Sequence, residues 1–218
     1  MTSPLQNRVK PDGEIVRHQA RGTLMGNRGG RLHDPATREL AKRRWSSRAW
    51  ICCEMDFRGR QRQVMGESYT ELFFLDEVTA LAAGHRPCFE CRRQDSLRFA
   101  RLFGQHVLEK DGRASAGEMD RILHDERLDG RAKRRHQAIA TTLPDGTLIE
   151  QAGQVYAVAC NTLLPWYMDG YGDAEPFRQC GSVTVLTPPS VMGVLAKGYQ
   201  PRWHPTASER LAVLGRSL

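Results

Sequence analysis

The chain has 218 residues, of which 40% are hydrophobic, enough for a buried core in one large domain or two small ones. None of its apolar stretches approaches the roughly 18 to 20 residues of a membrane helix, and the first residues lack the apolar segment of a secretory signal. We therefore expect a cytoplasmic protein without a membrane partner.

Positive charge is concentrated in the first half of the chain. The sequence has 32 Lys and Arg against 25 Asp and Glu, a formal net charge of +7, and residues 1–110 alone have 20 against 13. Most of the basic residues are arginine, whose planar guanidinium group suits the oxygens of a phosphate. The pattern predicts a nucleic-acid partner, with DNA preferred over RNA.

The first third of the chain predicts hairpins and one short helix. The turn sequences PDG and GNRGG, in residues 11–30, predict a β-hairpin region. DPATRELAKRRWSS, residues 34–47, begins with Asp and Pro as helices do, and predicts a short basic helix. RAWICCEMDFRGRQRQVMG, residues 48–66, alternates and predicts a second hairpin, with Cys52 on its polar face and Cys53 on its apolar face.

The central stretch predicts three helices. SYTELFFLDEVTALAAGHRPC, residues 68–88, has apolar positions at helical spacing and a glycine at its end. CFECRRQDSLRFARLFGQHVLEK, residues 88–110, predicts the next helix, so that the CxxC lies at a helix–helix junction. SAGEMDRILHDERL, residues 115–128, has the Ser and Glu of a capping box.

Residues beyond 141 change in character. Short β-rich pieces alternate with turns, and PSVMGVLAKGY, residues 189–199, predicts one last helix before an irregular tail. We therefore expect an α+β protein with a basic, zinc-binding helix-and-hairpin region at 1–135 and a smaller β-rich C-terminal region at 136–218. RAKRRHQ, residues 131–137, is expected to be a solvated basic loop, with phosphate contact as the alternative.

Clustered cysteines predict a metal site. In a cytoplasmic chain of this length, cysteines close in sequence indicate metal binding rather than disulfides. Cys88 and Cys91 form a CxxC, which is half of a four-ligand zinc site, and Cys52 and Cys53 are the nearest supply for the other half. Neighbouring strand residues point to opposite faces, so Cys52, Cys53 and a reserve ligand, His85, remain alternatives for completing it. The other two cysteines, Cys160 and Cys180, are expected to be ordinary buried thiols.

A family resemblance extends this prediction. LFFLDEVTALAAGHRPCFECRR, residues 72–93, resembles the second half of the metal-binding domain of Ada-type DNA repair and regulatory proteins. That domain holds zinc on four cysteines, one of which accepts a methyl group from a methylated DNA phosphate. The resemblance implies that Cys88 and Cys91 are zinc ligands and that Arg86 and Arg92 lie near a nucleic-acid backbone.

The chain departs from the family at three places, one of which is His85, where the family usually has an aromatic residue. The family's first cysteine pair is spaced CxxxC, whereas Cys52 and Cys53 are adjacent, so the methyl-accepting cysteine has no clear counterpart. Arg93 stands where the family has proline, and we expect this arginine to contact phosphate together with Arg92. The expected function is a zinc-binding, nucleic-acid-associated protein, linked to DNA repair or processing, with a structural metal.

Two other classes of function remain open. Cytidine-type deaminases combine Cys-x-Glu with Pro-Cys-x-x-Cys, and the chain has Cys52 and Glu54 before Cys88 and Cys91. The first alternative is therefore a zinc enzyme, either deaminase-like or using a thiolate as alkyl acceptor. The second alternative is a zinc-stapled scaffold that binds other proteins.

Overall fold

The computed structural model describes residues 3–61, 63–177 and 181–218. Cys180, expected to be a buried thiol, lies outside the described residues. The strands are β1 Gln6–Val9, β2 Ile15–Arg17, β3 Leu24–Asn27, β4 Ile51–Cys53, β5 Leu72–Phe74, β6 Arg86–Pro87, β7 Leu128–Asp129, β8 Ala132–Lys133, β9 His136–Ile139, β10 Leu148–Gln151, β11 Gln154–Ala159, β12 Thr162–Tyr167, β13 Gly170–Tyr171, β14 Glu175–Pro176 and β15 Ser182–Val185. The helices are α1 Glu77–Ala82, α2 Arg93–His106, α3 Ala116–Arg127, α4 Pro189–Ala196 and α5 Pro205–Ala212, and Ala140–Thr142 forms a 3₁₀ turn.

The first sheet has six strands in the order β2-β1-β5-β3-β4-β6. β1 and β2 form the antiparallel hairpin that the PDG turn predicts, closed by a bond from Lys10 N to Glu14 O of 2.9 Å. β4 pairs antiparallel with β3 and parallel with β6. The second predicted hairpin is therefore wrong, because β4 ends at Cys53 and finds its partners elsewhere in the chain.

The helix expected at residues 34–47 is absent from this described stretch. The Asp34 carboxylate accepts hydrogen bonds from the backbone N–H groups of Ala36 and Thr37, as in a helix start. The chain then leaves the helical path at Arg38, whose φ of 57° is left-handed. The Asp34-Pro35 pair therefore begins a single turn and not the predicted helix.

The central stretch divides into a strand and a short helix where one helix was expected. Leu72, Phe73 and Phe74 form β5, buried on both faces between β1 and β3. Such an apolar run suits a central strand as well as a helix. Asp76 then caps α1, and Gly84, at φ 85°, turns the chain into β6. The CxxC therefore follows a strand, not a helix.

The later helices agree better with the sequence. α2 and α3 lie where they were predicted, and Ser115 and Glu118 make the reciprocal hydrogen bonds of a capping box. The second sheet is antiparallel, with order β13-β12-β11-β10-β15-β9 and β14 against β12, which confirms the β-rich prediction. α4 was predicted, whereas α5 occupies the expected irregular tail.

The two expected regions share a core. Val78 and Ala82 of α1 pack in one cluster with Leu148, Leu164 and Leu211 from beyond residue 136. Buried hydrogen bonds reinforce the contact. The Asp76 carboxylate accepts from Tyr171 Oη at 2.9 Å, and Thr79 Oγ1 accepts from Trp166 Nε1 at 2.9 Å. No helix within the described residues is long and apolar enough to cross a membrane.

Candidate metal centre

Three elements bring the cysteines together. In the parallel pairing of β4 with β6, Cys52 stands beside Pro87, and the Cys88 N–H donates to the Cys52 carbonyl at 2.9 Å. The residue after Cys52 is Cys53, and the residue after Pro87 is Cys88. The turn before α2 then brings Cys91 back, closed by a bond from Arg92 N to Cys88 O of 3.1 Å. The site therefore depends on a pairing between residues about 35 positions apart.

Cys53, Cys88 and Cys91 form the cysteine group, in which all sulfur atoms lie within 4.8 Å of one another. The backbone N–H of Glu90 donates to Cys88 Sγ at 3.4 Å, and that of Glu54 donates to Cys91 Sγ at 3.4 Å. Hydrogen bonds from the thiols of Cys53 and Cys91, together with the backbone N–H groups of Cys91 and Glu90, lower the pKa of Cys88.

The cysteine group has the chemistry of a zinc site. Thiolate sulfur is a preferred zinc ligand, and backbone N–H donors to sulfur orient the ligands and stabilise their negative charge. Among the residues that the structure describes, no fourth Cys, His, Asp or Glu donor joins the group.

Cys52 lies on the opposite face of β4 from the one predicted. Its side chain is fully buried with Leu24, Leu72 and Phe74, and burial raises the pKa of its thiol. Cys53, expected on the apolar face, instead points toward Cys88 and Cys91. The alternation along the strand was right, but the faces were exchanged, because the core packs against the Cys52 side.

His85, the reserve ligand, is also outside the group. It is buried against the rings of Trp50 and Phe74, at centroid distances of 4.9 and 4.7 Å. Its Nε2 accepts a hydrogen bond from Arg28 Nε at 3.2 Å. Burial and the Arg28 charge lower the pKa of His85, so the ring is neutral and packs as part of the core.

Two of the three arginines expected at a phosphate backbone are engaged inside the protein. Arg86 is buried and binds Asp120 through two hydrogen bonds of 2.8 and 2.9 Å. Arg92 is buried and pairs with Glu77 at 2.7 Å and Asp95 at 2.7 Å. Arg93 is exposed, so it alone of the three is placed to meet a partner.

Glu54, the acid–base residue of the deaminase pattern, is held by arginines beside the cysteine group. Its carboxylate binds Arg202 at 2.7 Å and approaches Arg92 at 3.8 Å. Cys52, the first ligand of that motif, lies in the core. The deaminase pattern in the sequence is therefore not assembled around the cysteine group.

A cavity of about 250 Å³ adjoins the cysteine group, and we call it the metal cavity. All three grouped cysteines line it. The other residues that line the metal cavity are of mixed chemical character: Arg21, Met25, Asn27, Ile51, Glu54, Met55, Phe57, Arg60, Val64, Tyr69, Glu71, Phe73 and Glu90. The guanidinium groups of Arg21 and Arg60 stack on Phe73 and Phe57, at 5.2 and 5.4 Å from the ring centroids.

Glu71 is a cavity residue that the sequence did not single out. It is 3% exposed, and its Oε2 accepts from Met65 N at 2.8 Å, while its Oε1 has no hydrogen-bond partner among the described residues. A buried carboxylate oxygen left without a donor is costly unless a ligand supplies one. The only signal in the sequence was a glutamate directly before the apolar run of β5.

The chain matches no protein-family model, no curated protein and no solved structure. The resemblance to Ada-type domains therefore rests on the motif at residues 72–93 and stays a prediction.

Proposed function

We propose that the protein binds one zinc ion through Cys53, Cys88 and Cys91, and that the fourth coordination position faces the metal cavity. The observation that carries the proposal is the compact cysteine group beside a cavity, with Cys52 excluded from it. Structural zinc sites are closed by four protein ligands, whereas catalytic sites keep one position for water or substrate. A coordination position left open to the cavity favours a zinc ion that acts on a bound ligand, whereas the sequence predicts a purely structural zinc ion.

The lining of the metal cavity supports a ligand derived from nucleic acid. Arg21 supplies positive charge, whereas Arg60 is paired with Glu90 at 2.7 Å. The guanidinium groups of these two arginines, which lie over Phe73 and Phe57, are planar groups on which a base would stack. Zinc bound there would act as a Lewis acid toward a group in the open position. Glu71 would hold a proton donor of the ligand through its free Oε1. Together these groups describe a zinc-dependent protein that acts on nucleic acid or its components.

X-ray absorption at the zinc edge tests the coordination. We expect about one zinc per chain, with three sulfur neighbours at roughly 2.3 Å and one oxygen or nitrogen neighbour at roughly 2.0 Å. In the cobalt-substituted protein, the visible spectrum should shift when a small anion such as thiocyanate is added, because the fourth position is exchangeable. A shell of four sulfurs with an unresponsive cobalt spectrum would return the metal to a structural role, and a metal-free protein would remove the proposal.

A further inference from the structure

A second cavity lies away from the cysteine group and is unusually basic. It measures about 250 Å³ and shares no lining residue with the metal cavity. We call it the basic pocket. Six of its lining side chains are cationic: Arg28, Arg44, Arg127, Arg131, Lys133 and Arg135.

The positive charge of the basic pocket is largely unneutralised. Across the described ranges 3–61, 63–177 and 181–218, Arg135 is the one of these six that has an ion-pair partner, Glu150 at 2.6 Å. The carboxylates that line the pocket, Asp12 and Glu14, are both paired with Lys10, at 3.3 and 2.8 Å. Buried cations are ordinarily paired with acids, so this cluster lacks its counter-charge.

The deepest cations are held in place by neutral groups. Arg28 donates to the carbonyl of Gly13 at 2.7 Å and to His85, while Arg127 donates to the carbonyls of Gly84 and Arg48, each at 2.8 Å. Both guanidinium groups also stack on the buried ring of Trp50, at 3.9 and 3.8 Å from its centroid. Their geometry is thus fixed while their charge remains available to a ligand.

Arg127 gives an independent sign of a missing ligand. The residue is 1% exposed, and its Nε–H has no hydrogen-bond acceptor in the part of the chain that the structure describes. Gly84 has no Cβ, and a Cβ there would lie 2.5 Å from the Arg127 side chain, so the chain is built to admit this arginine. A buried donor of a charged group is rarely left unused.

Burial and mutual repulsion both disfavour the positive charges around the basic pocket. Burial, followed by the Arg127 charge, lowers the pKa of Lys133 to about 7. Burial and the neighbouring Arg28 likewise lower the pKa of Arg127. An anion in the pocket would counteract both effects, because it adds opposite charge to the little that Asp12 supplies to Lys133.

We propose that the basic pocket binds a phosphate monoester. A terminal phosphate carries up to two negative charges and tetrahedrally arranged acceptor oxygens, which match several converging donors. A phosphodiester within a strand carries a single negative charge and therefore matches six converging cations less well. The monoester belongs either to a free nucleotide or to the 5′-phosphate end of a nucleic-acid strand. RAKRRHQ, expected from sequence to be a solvated loop, thus contributes Arg131, Lys133 and Arg135 to a binding site.

The first test uses inorganic phosphate as the probe. We expect saturable binding by calorimetry and shifts of the Arg127 Nε–H and Trp45 indole signals in NMR spectra, since Trp45 also lines the pocket. Lys133→Gln and Arg44→Gln should each weaken binding about tenfold. Their matched controls, Lys197→Gln and Arg43→Gln, change the same charges outside the pocket and should leave affinity unchanged. Because two pocket variants are used, a folding defect in one leaves the test intact.

The second test distinguishes the two sources. Adenosine monophosphate and a short oligonucleotide are compared, the latter with a 5′-phosphate or a 5′-hydroxyl end. A Lys133-dependent preference for the phosphorylated strand assigns a strand end, and equal binding of the mononucleotide assigns a free nucleotide. Chelation of zinc should leave phosphate binding intact, so failure of the zinc proposal would not imply failure of this one. No saturable phosphate binding up to about 10 mM, or equal weakening by the control variants, would overturn the proposal.

Discussion

At the scale of single residues, the two adjacent cysteines have opposite environments. Cys52 is fully buried among apolar side chains, and Arg92 Nη1 donates to its sulfur at 3.6 Å. Cys53 is half-buried, and its sulfur belongs to the cysteine group. Two residues of the same type, side by side, therefore provide a matched pair for separating metal binding from packing.

We expect Cys53→Ala to lose zinc and Cys52→Ala to retain it. Removing a ligand leaves two thiolates, which do not hold a tightly bound metal, whereas removing Cys52 empties a small volume in the core. Cys52→Ala should therefore lower the free energy of unfolding by about 1 kcal/mol and leave the zinc content near that of wild type. Metal analysis and urea unfolding measure both. Zinc loss in Cys52→Ala with retention in Cys53→Ala would show that the strand faces are reversed.

At the scale of elements, a buried ion pair fixes the start of α2 against α1. Arg92 precedes α2 directly after the CxxC, and Glu77 begins α1. Neither side chain is exposed, and the Glu77 carboxylate also accepts from Tyr199 Oη at 2.7 Å and Arg202 N at 2.9 Å. Arg92, which the sequence places at a phosphate backbone, is thus part of the framework that positions Cys91.

Glu77→Gln should lower the free energy of unfolding by about 3 kcal/mol, because it leaves Arg92 with weaker compensation for its buried charge. Glu67→Gln is the control. Glu67 also pairs with an arginine, Arg31 at 3.2 Å, but its side chain is 87% exposed, and we expect a change below about 1 kcal/mol. Urea unfolding of both variants measures the difference. If both variants lower the free energy of unfolding by the same small amount, then water reaches the ion pair between Glu77 and Arg92.

At the scale of the whole molecule, the excess of positive charge in residues 1–110 predicts salt-dependent binding of nucleic acid. Because Arg86 and Arg92 are engaged internally, the contacts must come from exposed arginines such as Arg58 and Arg60. Each phosphate contact with duplex DNA should add about −0.9 to the slope of log affinity against log salt.

The double variant Arg58→Gln, Arg60→Gln should reduce that slope, while Arg210→Gln, Arg216→Gln, which lies outside residues 1–110, should not. Salt titrations with duplex DNA, single-stranded DNA and RNA make the measurement. No binding to any of the three at about 50 mM salt would favour the protein-binding scaffold instead. Tight binding that is insensitive to salt would point to base stacking on the guanidinium groups that lie over Phe57 and Phe73.

The sequence predicted those parts of the fold that short-range chemistry specifies. The β1–β2 turn, the capping box of Ser115 and Glu118, the α2 and α4 helices and the β-rich pieces between turns beyond residue 141 all depend on residues a few positions apart. It failed where a local signal was ambiguous. Leu72–Phe74 is apolar in a manner common to buried strands and helices, and only its place between β1 and β3 makes it a strand.

The same division applies to the candidate sites. The CxxC spacing by itself determined that Cys88 and Cys91 lie close together, and the arginine content indicated an affinity for phosphate. Which neighbour joins them was decided by the tertiary structure, because the face of β4 that meets the core follows from its pairing with β3 and β6. The basic pocket is also a tertiary feature, since Arg28, Trp50 and Arg127 are distant in sequence. Local patterns specify backbone conformation, whereas long-range pairing decides which side chains share a cavity and which cations lose their counter-charge.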